Sequence, residues 1–541
     1  MTAIAYIGRY SLFILAIVVA LVSILFHFPL GKVVFGVSLV LIFIGILDIS
    51  QKTYAVRRNY PILGNLRYLL KHFRPEIRQY FIESDSEAVP FTHGQRELVY
   101  NRSKNHNSNR AFGTIQNVYE KGFQFINHSM APVAMPDPDG FRVTIGGKEC
   151  KQPYSASIFN ISAMSFGALS SNAVLALNGG AKLGNFAHDT GEGSISPYHL
   201  ENGGDLIWEL GSGYFGCRTE DGRFDPEKFR EKARLPQVKM IEVKISQGAK
   251  PGHGGVLPKD KITKEIAETR GVPMDRDCIS PATHSEFSTP IELLEFIQKL
   301  RELSEGKPVG FKLCIGHAWE FAAIVKAMLK TGILPDFIVV DGKEGGTGSA
   351  PIEFADHIGS PLREGLLFVH NTLVGANLRD QIKIGASGKI ISAFDIARTI
   401  AIGADWVNSA RGFMFALGCI QSLSCHTNNC PTGIATQDLM RQKGLDVTNK
   451  KNRVYNYHRN TLHALAEMLS SAGISNVHEL EPHHLVLRTT DNEVRLFSNT
   501  YYYLEPGALL KDEIASQYYS TVWNEAQAES FAPTKKCVGC C

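Results

Sequence analysis

Residues 309–348 read VGFKLCIGHAWEFAAIVKAMLKTGILPDFIVVDGKEGGTG, and this stretch decides the fold. An apolar run of strand length, Val309 to Cys314, is followed by a helical segment and by a second apolar run, Phe337 to Val340. The second run ends in Asp341 and a glycine-rich loop. Apolar runs that end in glycine or polar residues and alternate with helical segments are typical of repeated βα units.

The same alternation continues on both sides of this stretch, from about residue 150 onwards. Further runs predicted as strands are Ile158 to Met164, Met240 to Ile245, Ile382 to Ile384 and Trp406 to Asn408. We therefore expect an α/β fold, a (β/α)8 TIM barrel, with its active site at the carboxyl ends of the strands.

Two helix starts are also marked in the sequence. Ser170 is a suitable N-cap for a helix that includes Ala173 to Leu177. Thr289, Pro290 and Glu292 form a capping box with proline at the first helical position, which predicts a helix that ends near Leu303.

Composition and charge narrow the class of protein. The chain has 541 residues, 44% of them hydrophobic, which is enough for a large core and additional segments. With 56 basic and 53 acidic residues the formal charge is only +3, so bulk electrostatics gives no reason to expect a nucleic-acid partner. The ten cysteines are spread unevenly, which suits reduced thiols better than a disulfide framework.

The N-terminal residues form two apolar runs. Ser11 to Phe28 is long enough to cross a bilayer, and Val33 to Leu47 follows after a short turn that contains Lys32. The second run is short for a full span at about 1.5 Å per residue. We predict a transmembrane helical hairpin within residues 1–52, and the alternatives are a cleaved signal peptide and a buried helical pair.

The cations around this hairpin predict its orientation. The turn carries one cation, and Arg9 precedes the first run; the cations that follow the second run are Lys52, Arg57, Arg58, Arg67, Lys71, Arg74 and Arg78. By the positive-inside rule we expect a multi-pass membrane protein with both termini and the catalytic domain on the cytoplasmic side. The basic, aromatic stretch from Asn59 to Phe81 is either a segment that lies on the anionic membrane surface or an ordinary basic helix.

Two glycine-containing loops follow consecutive predicted strands. They contain Gly345, Gly346, Thr347 and Gly348 in the first case and Gly385 to Gly388 in the second. Backbone amides of loops at neighbouring strand ends can converge on one phosphate group, which suits the phosphate of flavin mononucleotide (FMN) on late barrel strands. Each glycine set alone is more often a tight turn.

Three cysteines within twelve residues form the strongest single pattern. Cys419, Cys425 and Cys430 lie together, and Pro431 follows the last of them. Three thiolates suit a three-iron cluster, or a four-iron cluster with a borrowed ligand. The alternatives are zinc, with His426 as a fourth ligand, and inert thiols, but adjacent Cys425 and His426 do not match common zinc spacings.

Taken together, the loops resemble the FMN-binding synthase domain of the glutamate synthase family. The matching motifs, in family order, are SAMSFGALS at 162–170, TGEG at 190–193, QGAKPGHGG at 247–255, GGTGSAP at 345–351, and GC through CPTGIATQ at 418–437. The resemblance implies a barrel that holds FMN and a [3Fe-4S] cluster. It also implies the conversion of 2-oxoglutarate and ammonia, through 2-iminoglutarate, to glutamate.

The resemblance assigns roles to individual positions. The implied cluster ligands are Cys419, Cys425 and Cys430, and the implied catalytic groups are Lys250, Glu192, Gln247 and Arg270. The implied FMN-binding positions are Met164, Ser165, Lys312, Gly345, Gly346, Thr347, Gly348, Gly385, Ser387, Gly388 and Arg411.

The chemistry of the proposed substrate agrees with these residue types. Arg270 and Lys250 offer cations to a dicarboxylate, and Glu192 can bind ammonia or move a proton. Lys312 is expected beside the N1 and O2 edge of the flavin. Taken singly, each side chain also fits an ordinary role: a loop cation, a helix cap, or, for Lys312, a partner of an interior acid.

The sequence also departs from the family pattern. His253 stands where glutamate is usual, Ser194 replaces a glycine, and the second phosphate loop reads GASG. The chain begins with Met1 and a hairpin instead of a glutaminase domain, so ammonia is expected from solution or a partner subunit. No dinucleotide fingerprint follows a strand, so electrons are expected from an external donor such as ferredoxin or a reductase subunit.

These features predict a division of the chain, and they leave two other functions open. The predicted segments are a membrane hairpin (1–52), a basic juxtamembrane and pre-barrel segment (53–149), an FMN-binding barrel with the iron–sulfur loop (150–440), and a helical extension with a cysteine-rich tail (441–541). The alternatives are an FMN and iron–sulfur oxidoreductase for another substrate or a membrane electron carrier, and a non-catalytic redox subunit. The tail thiols of Cys537, Cys540 and Cys541 either bind metal or belong to a mobile, reactive end.

Overall fold

The computed structural model describes residues 9–534, with gaps at residues 26–28, 52, 85–89, 107–108 and 110. The chain forms two compact units, residues 1–93 and residues 94–541. The predicted cysteine tail, the end of the first apolar run and Lys52 lie outside the described residues.

The first unit is helical. Its helices are α1 (Ser11–Ser23), α2 (Pro29–Ser50), α3 (Ala55–Asn59) and α4 (Leu63–Ile77), and the π-helical turn Arg78–Ile82 continues α4. A Cβ atom at Gly45, near the end of α2, would overlap the ring of Phe13, near the start of α1. The two apolar helices therefore pack closely and run antiparallel.

The lengths of these two helices differ from the prediction. Within the described residues only α2, with 22 residues, is long and apolar enough to cross a membrane, whereas α1 has 13 residues. The expectation of a full first span and a short second one was therefore wrong, because Pro29 is accommodated at the first helical position and α2 continues to Ser50. Signal sequences and core helices share this length and composition, so the transmembrane hairpin stays a proposal.

The described part of the second unit contains fifteen strands. They are β1 (Gln124–Ile126), β2 (Arg142–Ile145), β3 (Tyr154–Ser157), β4 (Phe159–Ile161), β5 (His188–Asp189), β6 (Leu206–Leu210), β7 (Val238–Lys244), β8 (Val256–Leu257), β9 (Cys278–Ile279), β10 (Val309–Leu313), β11 (Phe337–Asp341), β12 (Lys383–Ser387), β13 (Trp406–Ser409), β14 (Leu485–Thr490) and β15 (Glu493–Leu496).

Eight of these strands close into a barrel in the order β4-β5-β6-β7-β10-β11-β12-β13. Every neighbouring pair is parallel, which confirms the predicted TIM barrel. The other strands form a three-stranded antiparallel sheet (β1-β14-β15) and two hairpins, β2-β3 and β8-β9.

Helices follow the barrel strands and cover them. The α-helices after the first unit are α5 (His93–Ser103), α6 (Ser171–Gly184), α7 (Pro197–Leu200), α8 (Pro226–Ala233), α9 (Lys264–Arg270), α10 (Pro290–Leu303), α11 (Ala318–Thr331), α12 (Ile352–His357), α13 (Leu362–Gly375), α14 (Ala393–Ile402), α15 (Arg411–Leu417), α16 (Leu439–Gln442), α17 (Val447–Ser471), α18 (Phe497–Thr500) and α19 (Gln517–Glu525).

Both predicted helix starts are confirmed. The Ser170 hydroxyl accepts a hydrogen bond from the amide of Ala173 at the start of α6, and Thr289 and Glu292 form the capping box of α10. One predicted loop was wrong: Gly385 lies inside β12, where a Cβ atom would come within 2.4 Å of the Trp406 indole. Glycine is needed there for close packing of neighbouring strands, which a loop motif does not reveal.

Candidate active site

Three buried acids and one lysine fill part of the barrel interior. Asp189 (β5), Glu209 (β6) and Glu242 (β7), together the carboxyl cluster, bring carboxylate oxygens within 4.8 Å of one another. Lys312 (β10) supplies the counter-charge, because its Nζ donates a hydrogen bond to Glu209 and lies 2.7 Å from Glu242 Oε1 and 3.8 Å from Asp189 Oδ2. Among the described residues, no group makes a well-aligned hydrogen bond to the Glu242 oxygens, so their contact with Lys312 is an ion pair.

The charges of this group depend on one another. Burial favours the neutral amine, but the facing carboxylates outweigh it and raise the pKa of Lys312 well above its usual value. Burial also raises the pKa of Asp189 and of Glu242, and the neighbouring acids add to that effect. Lys312 thus pairs with interior acids, and its contact with a flavin stays a prediction.

Glu192 lies after β5 in a pocket shaped by glycines. Its Oε2 atom accepts hydrogen bonds from Lys244 Nζ at 2.7 Å and from Ser280 Oγ at 3.2 Å. A Cβ atom at Gly255 would come within 1.7 Å of Glu192 Oε1, and one at Gly211 within 2.7 Å of Oε2. The absence of side chains at these two positions therefore makes room for the carboxylate.

Glu192 is a carboxylate at neutral pH. Burial acts to raise its pKa, but the charge and hydrogen bond of Lys244, with Arg270 and Ser280, lower the pKa to about 2. It is therefore suited to accept hydrogen bonds from the N–H groups of ammonium or an imine, while it stays ionised itself. A general acid would need a far higher pKa.

The Lys250 loop (residues 245–255) follows β7. Lys250 is buried and its Nζ donates a hydrogen bond to the Ser349 carbonyl at 2.9 Å, while Gln247 is half-buried on the same loop. Burial lowers the pKa of Lys250, and the nearby charge of Glu192 partly offsets that effect. Its ammonium group is therefore a buried donor beside the Ser349 carbonyl, available to a substrate oxygen at this mouth.

Arg270 is the last residue of α9 and reaches the Ser165 loop (residues 162–170). Its Nη2 atom donates to the Phe166 carbonyl at 2.9 Å and to Ser165 Oγ at 3.2 Å. The guanidinium also lies over the Phe215 ring, and its buried Nε has no hydrogen-bond partner within the described residues. Arg270 therefore holds the loop that contains Met164 and Ser165 and keeps a donor for another group.

Asp341, at the end of β11, joins three strand ends. Its Oδ2 accepts a hydrogen bond from the Gly248 amide at 2.6 Å, and its Oδ1 accepts one from Ser387 Oγ at 2.5 Å. The loops after β7, β11 and β12 are thereby held at one mouth of the barrel.

The glycine loop (residues 345–348) is mostly exposed and lies beside Arg411. A Cβ atom at Gly346 would come within 2.9 Å of Arg411 Cζ, whereas one at Gly348 would meet no atom within 4 Å. Gly388 has a φ of +154°, a region that favours glycine. Burial lowers the pKa of Arg411 to about 10, so the guanidinium remains charged at neutral pH.

Gly248 and Gly348 make a matched pair for a test of this packing. A Cβ atom at Gly248 would come within 1.8 Å of the Gly342 carbonyl oxygen, and backbone cannot move aside as a flexible side chain can. We expect Gly248→Ala to destabilise the second unit by about 3 kcal/mol. Gly348→Ala should change stability by less than about 0.5 kcal/mol. Thermal unfolding of both purified variants checks this, and equal unfolding temperatures would contradict it.

The cysteine loop (residues 418–437) packs directly on the Ser165 loop. Gln437 Nε2 donates to the carbonyls of Gly167 and Leu169 at 3.0 and 2.9 Å, and Ser170 Oγ donates to the Gly433 carbonyl at 2.7 Å. Lys261 Nζ bridges the same two loops, since it donates to the carbonyls of Ala168 and Cys425. Any group held by the cysteines thus lies next to the loop after β4.

The three thiols have unequal proton affinities. Burial and the neighbouring sulfurs raise the pKa of Cys419 to about 12 and also raise the pKa of Cys425. Burial acts the same way on Cys430, but hydrogen bonds from Thr432 and from backbone amides outweigh it and lower its pKa. Cys419 and Cys425 therefore need a bound cation to become thiolates at neutral pH.

The spacing of the three thiols bears on which metal group they could hold. Among the described residues, the carboxyl cluster is the one group of three or more His, Cys, Asp or Glu ligand atoms gathered within 4.8 Å, so at least two of the three sulfurs lie farther apart than that. Thiolates bound to one zinc ion at about 2.3 Å lie closer together than that. His426, the fourth ligand considered for zinc, is exposed.

Sequence patterns did not predict several residues that lie at or below this mouth of the barrel. They are Lys244, Ser280, Asp341, Lys261 and the three acids of the carboxyl cluster. Lys244 and Glu242 interrupt an apolar strand at alternate positions, which is a usable signal, because alternate residues of a barrel strand face the interior. Ser280 follows the short strand β9 and Lys261 ends a single 3-10 turn, and segments this short have no periodicity to mark a residue.

Comparison with known proteins agrees with these features. Residues 126–475 match the conserved region in glutamate synthase. The chain belongs to the glutamate synthase family. The glutamate synthase large subunit-like protein YerD of Bacillus subtilis (strain 168) is 37% identical over 490 residues, which cover 83% of this chain and 93% of that protein.

Two further matches are less similar in sequence to this glutamate synthase family member. The archaeal-type glutamate synthase [NADPH] of Thermotoga neapolitana is 34% identical over 327 residues, 60% of this chain and 61% of that protein. Among solved structures, a flavocytochrome b2 mutant with bound pyruvate covers 83% of this chain and 90% of that chain, with a TM-score of 0.42 and 14% identity. The family assignment makes the chain an oxidoreductase of the glutamate synthase type.

The family assignment supports FMN as a cofactor, and the residues present fit its phosphate. Open backbone at Gly348, the half-buried Arg411 and the glycine conformation of Gly388 lie after late barrel strands. Backbone amides with an arginine are a suitable donor set for a phosphate group.

Proposed function

We propose that this chain reductively aminates 2-oxoglutarate to glutamate through 2-iminoglutarate, with FMN and a [3Fe-4S] cluster as cofactors. The observation that carries the proposal is the meeting of Glu192, Lys250 and Arg270 at the barrel mouth, next to a cysteine loop hydrogen-bonded to the Ser165 loop. One anionic and two cationic side chains suit a substrate that is a dicarboxylate and becomes an imine.

The overall chemistry can be written in two balanced steps. Ammonia adds to the keto carbon of 2-oxoglutarate and water leaves, which gives the imine; two electrons and two protons then give glutamate. FMN, when bound, supplies the hydride chemistry, and the cluster supplies electrons one at a time. The chain's own residues bind the substrate and handle protons.

Each of the three side chains has a defined task in this proposal. Arg270 binds one carboxylate of the substrate with guanidinium donors beyond those used by Phe166 and Ser165. Lys250, whose pKa is lowered by burial, donates a proton to the oxygen that leaves as water. Glu192, held ionised by Lys244, accepts hydrogen bonds from the incoming ammonia and fixes its position.

Under this proposal, other molecules supply the electrons and the ammonia. An external donor such as ferredoxin or a reductase subunit provides electrons, and ammonia comes from solution or a partner subunit. The name of the Thermotoga relative includes NADPH, and this part of the name describes that protein. A reductase subunit that uses NADPH is one form of the donor proposed here.

We place the chain at a membrane with its catalytic unit on the cytoplasmic side. Large apolar side chains of α1 and α2 are exposed, among them Leu15, Leu21, Val33, Val40 and Phe43. A mostly apolar helix of 22 residues with its large side chains uncovered is unsuited to water and suited to lipid. The cations that follow α2 support the orientation.

The exposed apolar helices also favour a second candidate, an oxidoreductase that exchanges electrons with a membrane carrier such as a quinone. Purified protein should form glutamate from 2-oxoglutarate and ammonium with an artificial reductant under the first proposal. Failure to form glutamate, together with reduction of a quinone, would favour the second. Flavin and iron assays on the same preparation test the cofactors.

Arg270→Lys tests the substrate role directly. A lysine has one nitrogen and cannot hold the Ser165 loop, as Arg270 Nη2 does, and contact a substrate carboxylate with further donors, so we expect the KM for 2-oxoglutarate to rise about 10- to 100-fold, with a smaller change in kcat. The matched control is Arg276→Lys, because Arg276 is 74% exposed and pairs with the adjacent Asp275. An unchanged KM in Arg270→Lys would exclude this binding role.

A further inference from the structure

The helix α4 and the π-helical turn after it, together the basic helix (residues 63–82), have an uncovered apolar side. Its exposed apolar side chains are Leu63, Leu66, Leu69, Leu70, Phe73, Ile77, Tyr80, Phe81 and Ile82. Positions 63, 66, 70, 73 and 77 repeat at intervals of three and four residues, so they form one stripe along the helix.

Four cations border that stripe. Arg67, Lys71, Arg74 and Arg78 also repeat at intervals of three and four residues, and all are exposed. The cations therefore share one side of the helix, next to the apolar stripe. An apolar face with a cationic border is the pattern of helices that lie in the interface of anionic membranes.

The remaining side of the basic helix is fixed to the end of the apolar helices. Asp48 Oδ2, in the last turns of α2, accepts hydrogen bonds from the Ile62 amide at 3.0 Å and from Asn65 Nδ2 at 2.5 Å. The guanidinium of Arg57 lies 4.5 Å from the Tyr68 ring and 4.8 Å from the Tyr54 ring. The basic helix therefore starts where α2 ends, and its position relative to α2 is held by partly buried contacts.

From these observations we infer that the basic helix lies in the cytoplasmic interface of the membrane and binds anionic lipid headgroups through Arg67, Lys71, Arg74 and Arg78. The apolar stripe then contacts the outer acyl chains. Because the helix begins at the end of α2, membrane insertion of α2 brings it to the interface. The inference rests on the membrane placement proposed above and adds the lipid class and the residues that recognise it.

Amide hydrogen exchange of the full-length protein in nanodiscs tests this inference. The two lipid compositions are phosphatidylcholine alone and phosphatidylcholine mixed with phosphatidylglycerol. We expect amide exchange over residues 63–82 to be at least about tenfold slower in the anionic discs, since each cation near an anionic surface strengthens binding several-fold. Residues 29–50 should be protected equally in both.

Two charge variants separate the specific effect from net charge. The quadruple variant Arg67→Gln, Lys71→Gln, Arg74→Gln and Arg78→Gln should lose the dependence on anionic lipid and keep the protection of residues 29–50. The control removes four exposed cations of the second unit: Arg223→Gln, Lys264→Gln, Arg276→Gln and Lys330→Gln. That control should exchange like the unchanged protein.

Three results would overturn the inference. Equal exchange over residues 63–82 in both lipids, with residues 29–50 protected, would exclude anionic-lipid binding and leave the membrane placement intact. Protection in detergent that grows with protein concentration would show a second copy on the apolar stripe. Rapid exchange of residues 29–50 in both discs would exclude the membrane placement itself, while glutamate formation in detergent is measured independently.

Discussion

Lys312→Met is expected to destabilise the second unit by about 3–5 kcal/mol. The substitution leaves Asp189, Glu209 and Glu242 inside the barrel without their cation, at relative exposures of 1%, 2% and 0%. Carboxyl groups that close to one another must then all be neutral, or repel one another in a medium that screens them poorly. The apparent unfolding temperature of the purified protein measures the effect, and very low yields of folded protein would point in the same direction.

Two further variants show whether the lost charge is the cause. Lys330→Met removes an exposed ion pair with Glu529, whose partners are 57% and 56% exposed, so it should cost less than about 1 kcal/mol. Glu209→Gln combined with Lys312→Met removes one uncompensated charge and should recover part of the loss. If Lys312→Met unfolds at the same temperature as Lys330→Met, the ion pairs of the cluster contribute nothing measurable to stability.

The barrel could be predicted from local patterns because each βα unit carries its own signal. Val309–Leu313 and Phe337–Asp341 coincide with predicted runs to within a residue, and the capping box at Thr289 marks the start of α10 correctly. The wrong expectations arose where packing between distant residues decides. Gly385 looks like a loop glycine in the sequence, but the Trp406 ring requires it inside a strand.

The helix lengths of the first unit show a second limit of prediction from sequence. Hydropathy marks where apolar residues begin and end, whereas a helix ends where its backbone hydrogen bonds end. Lys32 and Asp48 bound the apolar run but lie inside α2, and the buried Asp48 carboxylate has partners in Ile62 and Asn65. A polar residue can therefore sit within an apolar helix when later residues of the chain satisfy it.

Residues of the candidate site could be predicted only where they belong to, or follow, a motif shared with the family. Glu192, Lys250 and Arg270 come from three separate segments, and no local rule brings them together. Their counterparts Lys244 and Glu209 escaped notice because a charged residue in a strand is usually read as solvent-exposed. The structure places Lys244 between Glu192, at 2.7 Å, and Glu209, at 3.9 Å, so it links the carboxyl cluster to the barrel mouth.

Lys244 couples the charge of the carboxyl cluster to the charge of Glu192 at the barrel mouth. A change in charge at the carboxyl cluster reaches Glu192 through one lysine, and Glu192 in turn acts on the pKa of Lys250. The ionised state of Glu192 therefore depends on residues buried below it as well as on its immediate neighbours. Substitutions in the cluster should accordingly be judged by stability before activity is interpreted.

Cys430→Ala is expected to abolish cluster binding, so the iron content of the purified protein should fall at least about tenfold. Cys430 is buried and is the thiol whose pKa is lowered, by Thr432 and by backbone amides, so it is the thiolate most ready to bind iron. Cys217→Ala is the matched control, since Cys217 is also buried but lies apart from the cysteine loop in sequence, and it should retain iron.

The same experiment decides what the cysteine loop is for. Lys261, Gln437 and Ser170 hold this loop to the Ser165 loop through backbone carbonyls, and those contacts do not involve the Cys430 sulfur. Cys430→Ala should therefore lose iron and its visible absorption while the unfolding temperature of the rest of the unit changes little beyond the loss of the bound cluster. Iron retained at the unsubstituted level would show that the thiols are not its ligands. Zinc in place of iron in the unsubstituted protein would show that the three sulfurs move together to bind a single ion.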